Sequence, residues 1–349
     1  METQGIKYAG SKRKIIPHIL RALSEMQGVK SVLDGFSGST RVAQAFAQSG
    51  LNTTANDTAV WSEVFANCYL KADKDDAFYA GILEHLNALQ GVDGWFTEHY
   101  GGMPDDKKKP FQIKNTRKLD AIRAEIDRLG LNFVDKSVVL TALILALDSV
   151  DSTLGHYASY LSEWSARANK DLRLKLPKRF CLTGENTVLR SDVFDAIRGR
   201  TFDLAYFDPP YGSDNAKMPT SRVRYNAYYH LWTTVVLNDK PALFGKANRR
   251  ADSKDSVHPS VFEDCRPAVV LKAIEGLVAQ TDARYILLSY GANGRAAKTD
   301  LADLLQANGT RLKIIEIDHK RNVMAQMTST KEWLNSADNY KEYLFLLEK

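Results

Sequence analysis

The chain predicts an α/β fold: an open, mostly parallel sheet with helices on both faces. Three observations point there. Short apolar runs ending in an acid or a turn alternate with helical segments, as in parallel sheets. That alternation stops near residue 70 and returns near residue 176. With 349 residues, 44% apolar and 26% charged, the chain can form a large core and contains no low-complexity tract.

The elements follow in order. "KIIPHILRALSEM" reads as a helix, "KSVLDGFSGST" as a buried strand running into a turn, and "TRVAQAFAQSG" as a second helix. "LNTTANDTAVWSEVFANCYL" repeats the unit, with Asp57 between strand and helix. Residues 71–175 are helical. "TRKLDAIRAEIDRLG" sets Leu119, Ile122, Ile126 and Leu129 on one face with Gly130 as its stop, and "DKSVVLTALILALDSV" is apolar all round, with Asp135 as its cap. Strands return at "NTVLRSD", "FDLAYFDPPY", "RYILLSYG", "RLKIIEIDHK" and "KEYLFLLEK", making seven, with the last two expected as an antiparallel pair. Residues 212–260 read as a long loop, and loops of that length in compact domains are usually functional.

Charge and composition narrow the class. A net charge of +5 suits a polyanionic partner without requiring one. Cys68, Cys181 and Cys265 are far apart and lack CxxC spacing, so neither a disulfide framework nor a zinc site is expected, and no metal is. "METQGIKYAGSKRK" lacks the apolar core of a signal peptide, and "VVLTALILAL" falls well short of the ~20 residues of a membrane span. A cytoplasmic protein is the expectation.

Candidate chemistry gathers at strand ends. "LDGFSGST" gives a tight strand-to-helix turn in which Gly38 and its small neighbours let a ligand approach the backbone. It matches neither GxGxxG nor GxxxxGK[ST], which argues against a dehydrogenase and against a P-loop. Asp57 ends the second strand, where an acid can accept from both ribose hydroxyls of a nucleoside, or cap the next helix. Asp192 ends the third, with Glu185 as a rival. "FDLAYFDPPY" ends the fourth, its prolines stiffening the backbone beside Asp208 and Tyr211.

Taken together, "KYAGSKRKI", "DGFSGST", Asp57 and "DPPY" give a chain that resembles the D12 class of DNA adenine-N6 methyltransferases, in motif order and over most of its length. The resemblance implies a Rossmann-like class I methyltransferase sheet, S-adenosylmethionine as cofactor and double-stranded DNA as substrate. It assigns residues 1–70 and 176–349 to the catalytic domain, and 71–175 to target recognition. Residues 212–260 become a further DNA contact. Lys7, Tyr8, Gly10 and Ser11 become cofactor positions, as do Asp34, Phe36, Ser37, Gly38, Ser39, Asp57 and Asp192. Ser39 stands where the family loop usually has Gly. Asp208 would accept one N6–H and the Pro209 carbonyl the other, making the conjugated nitrogen pyramidal and nucleophilic. Pro210 would fix the turn. Tyr211 would stack on the extruded adenine, a contact worth about 1–3 kcal/mol.

Lys12, Lys14, Lys108, Lys114, Arg117, Arg222, Arg224, Lys246, Arg249 and Arg250 are candidates for phosphate. Tyr225, Tyr228, Tyr229 and Trp232 suit a DNA gap, a pocket wall or the core. N4-cytosine methylation, more often with Ser at the Asp208 position, and RNA adenine methylation, more often with Asn, use the same logic and stand as alternatives, as does a silent nucleic-acid binder. A cognate restriction endonuclease would be a functional partner.

Overall fold

The computed structural model describes residues 1–106, 108–212, 225–254, 260–318 and 341–349. Seven strands form the main sheet: Ser31–Asp34 (β1), Asn52–Asn56 (β2), Thr187–Leu189 (β3), Thr201–Phe207 (β4), Asp282–Gly291 (β5), Arg311–Asp318 (β6) and Lys341–Glu348 (β7). Their order is β6-β7-β5-β4-β1-β2-β3. β7 runs antiparallel to both β5 and β6, and the other pairings are parallel. This is the expected sheet, including its antiparallel last pair.

Residues alternate across the sheet, so each strand feeds two cores. Val32, Leu204 and Tyr206 face Ile16 and Ile19 of helix Ile16–Ser24 (α1) and Val42 and Phe46 of Arg41–Gln48 (α2). Leu33, Ala205 and Phe207 face Val270, Ile274 and Leu277 on the other side. Each fully buried Leu or Phe contributes roughly 1.5–3 kcal/mol, so these two cores hold the strand ends rigidly. β1 has β2 on one side and β4 on the other, so the chain order reverses there. Ligands of open α/β sheets bind outside the carboxyl ends at such a reversal.

The interruption is helical: Val60–Leu70 (α3) is followed by Asp76–Ala88 (α4), Trp95–Tyr100 (α5), Ile113–Arg128 (α6) and Phe133–Val150 (α7). α6 buries Leu119, Ile122 and Ile126. α7 is buried all round from Ser137 to Ile144, but its cap is Asn132 rather than Asp135. The Asn132 side chain accepts from the Asp135 amide at 2.9 Å, while the Asp135 carboxylate accepts from Tyr79 at 2.7 Å.

A second correction concerns residues 212–260. Their described part holds helices Tyr225–Tyr228 (α8) and His230–Leu237 (α9), and a small antiparallel pair, Leu243–Phe244 with Arg249–Arg250. Leu231, Trp232 and Val235 are fully buried against α3 and the inserted helices. The tyrosines and basic residues around "HLWTTVVL" mask its apolar helix. Among the described residues no helix is long and apolar enough to cross a membrane.

Candidate active site

A cleft of about 810 Å³ opens at the carboxyl ends of β1, β2, β3 and β4, and a small cavity adjoins it. Three carboxylates at the ends of β1, β2 and β4 face this space, each in a different setting.

Asp34, at the end of β1, is wholly buried, and neither carboxylate oxygen has a hydrogen-bond partner. Burial pushes its pKa well above the ordinary carboxylate value, the charges of Asp208 and Asp57 add to this, and the nearby backbone amides of Ala43 and Phe36 offset only part of it. An unpartnered buried carboxylate is costly, and a cation arriving from the cavity would relieve it. Ser11, Ser37, Gly38 and Ser39 line the same cavity. Gly38 has a φ of +46° and lies so close to Tyr8 that a Cβ would meet the phenol oxygen at 3.0 Å. Only glycine suits both demands. Thr40, a β-branched residue at φ +61°, marks the same loop as strained.

Asp57, after β2, clasps that loop. It accepts from the Gly38 amide at 2.8 Å and from the Ala59 amide at 2.9 Å, so it braces the turn and ties it to the residue that precedes α3. Burial raises its pKa, and those amides work against the rise. Asp192 is exposed on the cleft wall and caps the short helix Val193–Ile197 through the Phe194 amide at 2.9 Å. Its rival Glu185 precedes β3, at the opposite edge of the sheet, where its amide bonds to Asn52. Phe36 lines the cleft and meets Phe262 edge-on at 5.2 Å.

Asp208, after β4, is surrounded by donors. Its Oδ1 lies 2.9 Å from the Lys12 ammonium and accepts from the Tyr211 hydroxyl at 2.5 Å. Burial raises its pKa to about 6, Lys12 opposes this, and Glu342 adds to it. Pro209 is buried, whereas Pro210 and Tyr211 line the cleft. The Tyr211 ring lies 4.7 Å from that of Tyr290, so hydroxyl and ring are both held.

Several expected contacts lie elsewhere. Lys12 is 6% exposed and is no surface cation: Asp208, Glu342 at 3.0 Å and the Tyr211 hydroxyl at 2.6 Å surround it. Burial disfavours its charge, but those two carboxylates outweigh burial and hold its pKa above the ordinary value. Arg250 is 4% exposed, paired with Asp239 and Asp252 at 2.7 Å each. Lys7 turns to the insert, with its ammonium 2.6 Å from Asp151. The Tyr8 ring stacks on Tyr229 at 4.8 Å, and Gly10 sits beneath the Tyr225 hydroxyl. Tyr229 and Trp232 are core residues, Tyr225 lines the cleft, and Tyr228 stacks on His156 at 4.3 Å.

Lys14, Lys108 and Lys246 are exposed. Lys114 pairs with Asp171, Arg117 pairs with Asp93, and Arg249 lies over the Phe244 ring at 4.6 Å. Arg222 and Arg224 lie outside the described residues. Sequence reasoning missed Glu342 and Ser289. The available signal was an acid two places before Leu344, on the same buried face of β7 as Leu344.

A buried carboxylate without a partner, a loop built for close approach and a nucleoside-sized cleft fit S-adenosylmethionine, whose ammonium and ribose such groups can hold. A family model described as D12 class N6 adenine-specific DNA methyltransferase matches residues 8–292. The chain is similar to the type II methyltransferase M.NlaIII of Neisseria lactamica, at 26% identity over 99% of both chains. It is likewise similar to the type II methyltransferase M.CviAII of Paramecium bursaria Chlorella virus 1, at 26% over 98% of both. It matches the modification methylase StsI of Streptococcus sanguinis at 27% over 86% of this chain, which spans about half of that relative, 46% of its length.

Proposed function

Because this chain belongs to the D12 class of N6 adenine-specific DNA methyltransferases, and so is an enzyme that methylates adenine in DNA using S-adenosylmethionine, we propose that Asp208, Pro209 and Tyr211 carry the transfer on an adenine turned out of the duplex. The observation that carries this reading is the adjacency of two unlike aspartates at the sheet reversal. Asp34 is buried without a partner, and Asp208 opens onto the cleft.

The cofactor supplies an electrophilic methyl group on a sulfonium. This chain's residues supply the rest. Asp34, with the loop through Ser39, holds the amino-acid end, and Asp57 and Asp192 hold the ribose. Asp208 must be ionised to accept an N6–H. With its pKa raised to about 6, it is mostly ionised at pH 7 and still basic. Together with the Pro209 carbonyl it turns the N6 lone pair outward, and it accepts the proton that N6 gives up. Tyr211, tied back through its hydroxyl, presents a fixed ring for the base to stack on, and extrusion gives access to N6.

We assign target recognition to residues 71–175 and DNA contact to residues 212–260, with Lys14, Lys108, Lys246 and Arg249 meeting phosphate. The type II methyltransferase names of the relatives support a cytoplasmic modification enzyme with a cognate restriction endonuclease as its functional counterpart.

The test uses methyl-labelled S-adenosylmethionine with unmethylated DNA and, separately, RNA, each digested to nucleosides. Labelled N6-methyldeoxyadenosine from DNA, lost in Asp208→Asn, is expected. A labelled deoxycytidine or ribonucleoside, or full activity in Asp208→Asn, would overturn the assignment.

A further inference from the structure

The chain's last strand reaches the reaction centre from outside the family-matched residues 8–292. Glu342, on β7, is 3% exposed, and one oxygen, Oε1, receives three groups. These are the Lys12 ammonium at 3.0 Å, the Ser289 hydroxyl at 2.8 Å and the Tyr211 hydroxyl at 2.5 Å, whose single proton lies between Glu342 and Asp208. Lys12 and Tyr211 are also the two groups that touch Asp208. We infer that Glu342 is a positioning residue for methyl transfer: it holds the Lys12 ammonium between two carboxylates, fixing Asp208 while leaving part of its charge unneutralised.

The inference rests on the role of Asp208 proposed above. One ammonium shared by two carboxylates leaves a net negative charge in the cluster. Were Glu342 neutral, Lys12 would face Asp208 alone. A buried, charge-assisted pair of that kind would compete with an incoming amine for the same oxygen. Ser289, on β5, anchors Glu342 from the neighbouring strand, so the geometry does not depend on Lys12 alone.

Among the described residues, the charged or titratable groups coupled to Asp208 are Lys12 before α1, Glu342 on β7, Tyr211 after β4, Tyr206 within β4, Asp34 on β1 and Tyr8 in the N-terminal segment. Only Lys12 among them is cationic. Removing the Glu342 charge therefore moves the pKa of Asp208 down from about 6. A weaker acceptor slows transfer but stays ionised to lower pH.

Glu342→Gln keeps the size and an acceptor oxygen while removing the charge. The experiment compares it with wild type and Asp208→Asn on DNA, reading kcat, KM and the acid limb of the pH profile. Glu342→Gln should lose roughly tenfold in kcat, with KM for DNA changed less than about twofold and the acid limb shifted to lower pH. The limb's position reports the active fraction alone, so partial unfolding does not imitate the shift. Wild-type kcat, or a loss of kcat with an unmoved limb, would overturn the inference while Asp208→Asn is inactive. Substantial activity in Asp208→Asn would instead overturn the reading on which it rests.

Discussion

Asp34 and Asp208 end neighbouring parallel strands, β1 and β4, yet their carboxylates are treated in opposite ways. Asp34 has no exposure and no hydrogen-bond partner, whereas Asp208 meets an ammonium and a phenol and faces the cleft. The difference shows how one sheet edge separates two tasks. A carboxylate left unsatisfied by its own chain is completed by a cationic ligand, so it contributes to binding. One already held by internal donors is fixed in direction, so it contributes to chemistry. Second contacts reinforce the division: Asp57 braces the binding loop, and Glu342 braces the reacting group.

The contrast can be broken most severely at Asp208. Asp208→Asn should lower transfer by about 10²–10⁴-fold while changing S-adenosylmethionine affinity by less than about threefold, read by labelled-methyl incorporation and calorimetric titration. Next comes Asp34→Asn, which should weaken S-adenosylmethionine binding by roughly 10–100-fold, the worth of a charge-assisted hydrogen bond. The same variant should make the ligand-free protein more stable, by about 1–3 kcal/mol in denaturant titration, because the buried charge is gone.

The sign with pH follows from the raised folded pKa of Asp34. Its contribution to stability is present below the unfolded carboxylate value and is lost as pH rises through the folded one. Asparagine should flatten that slope. Asp57→Ala should cost about tenfold in cofactor affinity together with ~1 kcal/mol for the lost hydrogen bonds to the Gly38 and Ala59 amides. The smallest effect belongs to Lys246→Ala with Arg249→Ala. DNA affinity should fall a few-fold, and the salt dependence should become shallower by about one unit of slope per lost phosphate contact.

The sheet was legible in the sequence because strand, acid and helix recur at readable spacing from "KSVLDGFSGST" to "FDLAYFDPPY". Of the site, the strand-end acids and the glycine loop were legible for the same reason. What escaped were long-range electrostatics. Lys12 sits within "SKRK" and reads as one of three equivalent cations, yet its neighbours Arg13 and Lys14 are exposed while it is buried. Nothing local marks the difference, because its partner Glu342 lies 131 residues beyond Tyr211. Arg250 misled in the same way, since its partners Asp239 and Asp252 meet it only once the small antiparallel pair has formed. The helix over "HLWTTVVL" was hidden by its polar flanks, and it is held by the inserted core rather than by its own propensity.

The most direct measurement takes Asp34→Asn and Asp208→Asn side by side, titrating S-adenosylmethionine into each and then following one turnover on DNA at saturating cofactor. The division of labour predicts a crossed result. Asp208→Asn should bind the cofactor as wild type does and fail to transfer. Asp34→Asn should bind it poorly, yet transfer within about tenfold of wild type once saturated. If both variants lost binding and turnover together, or if Asp208→Asn lost binding while Asp34→Asn lost only chemistry, the two aspartates would not have the separate roles assigned to them.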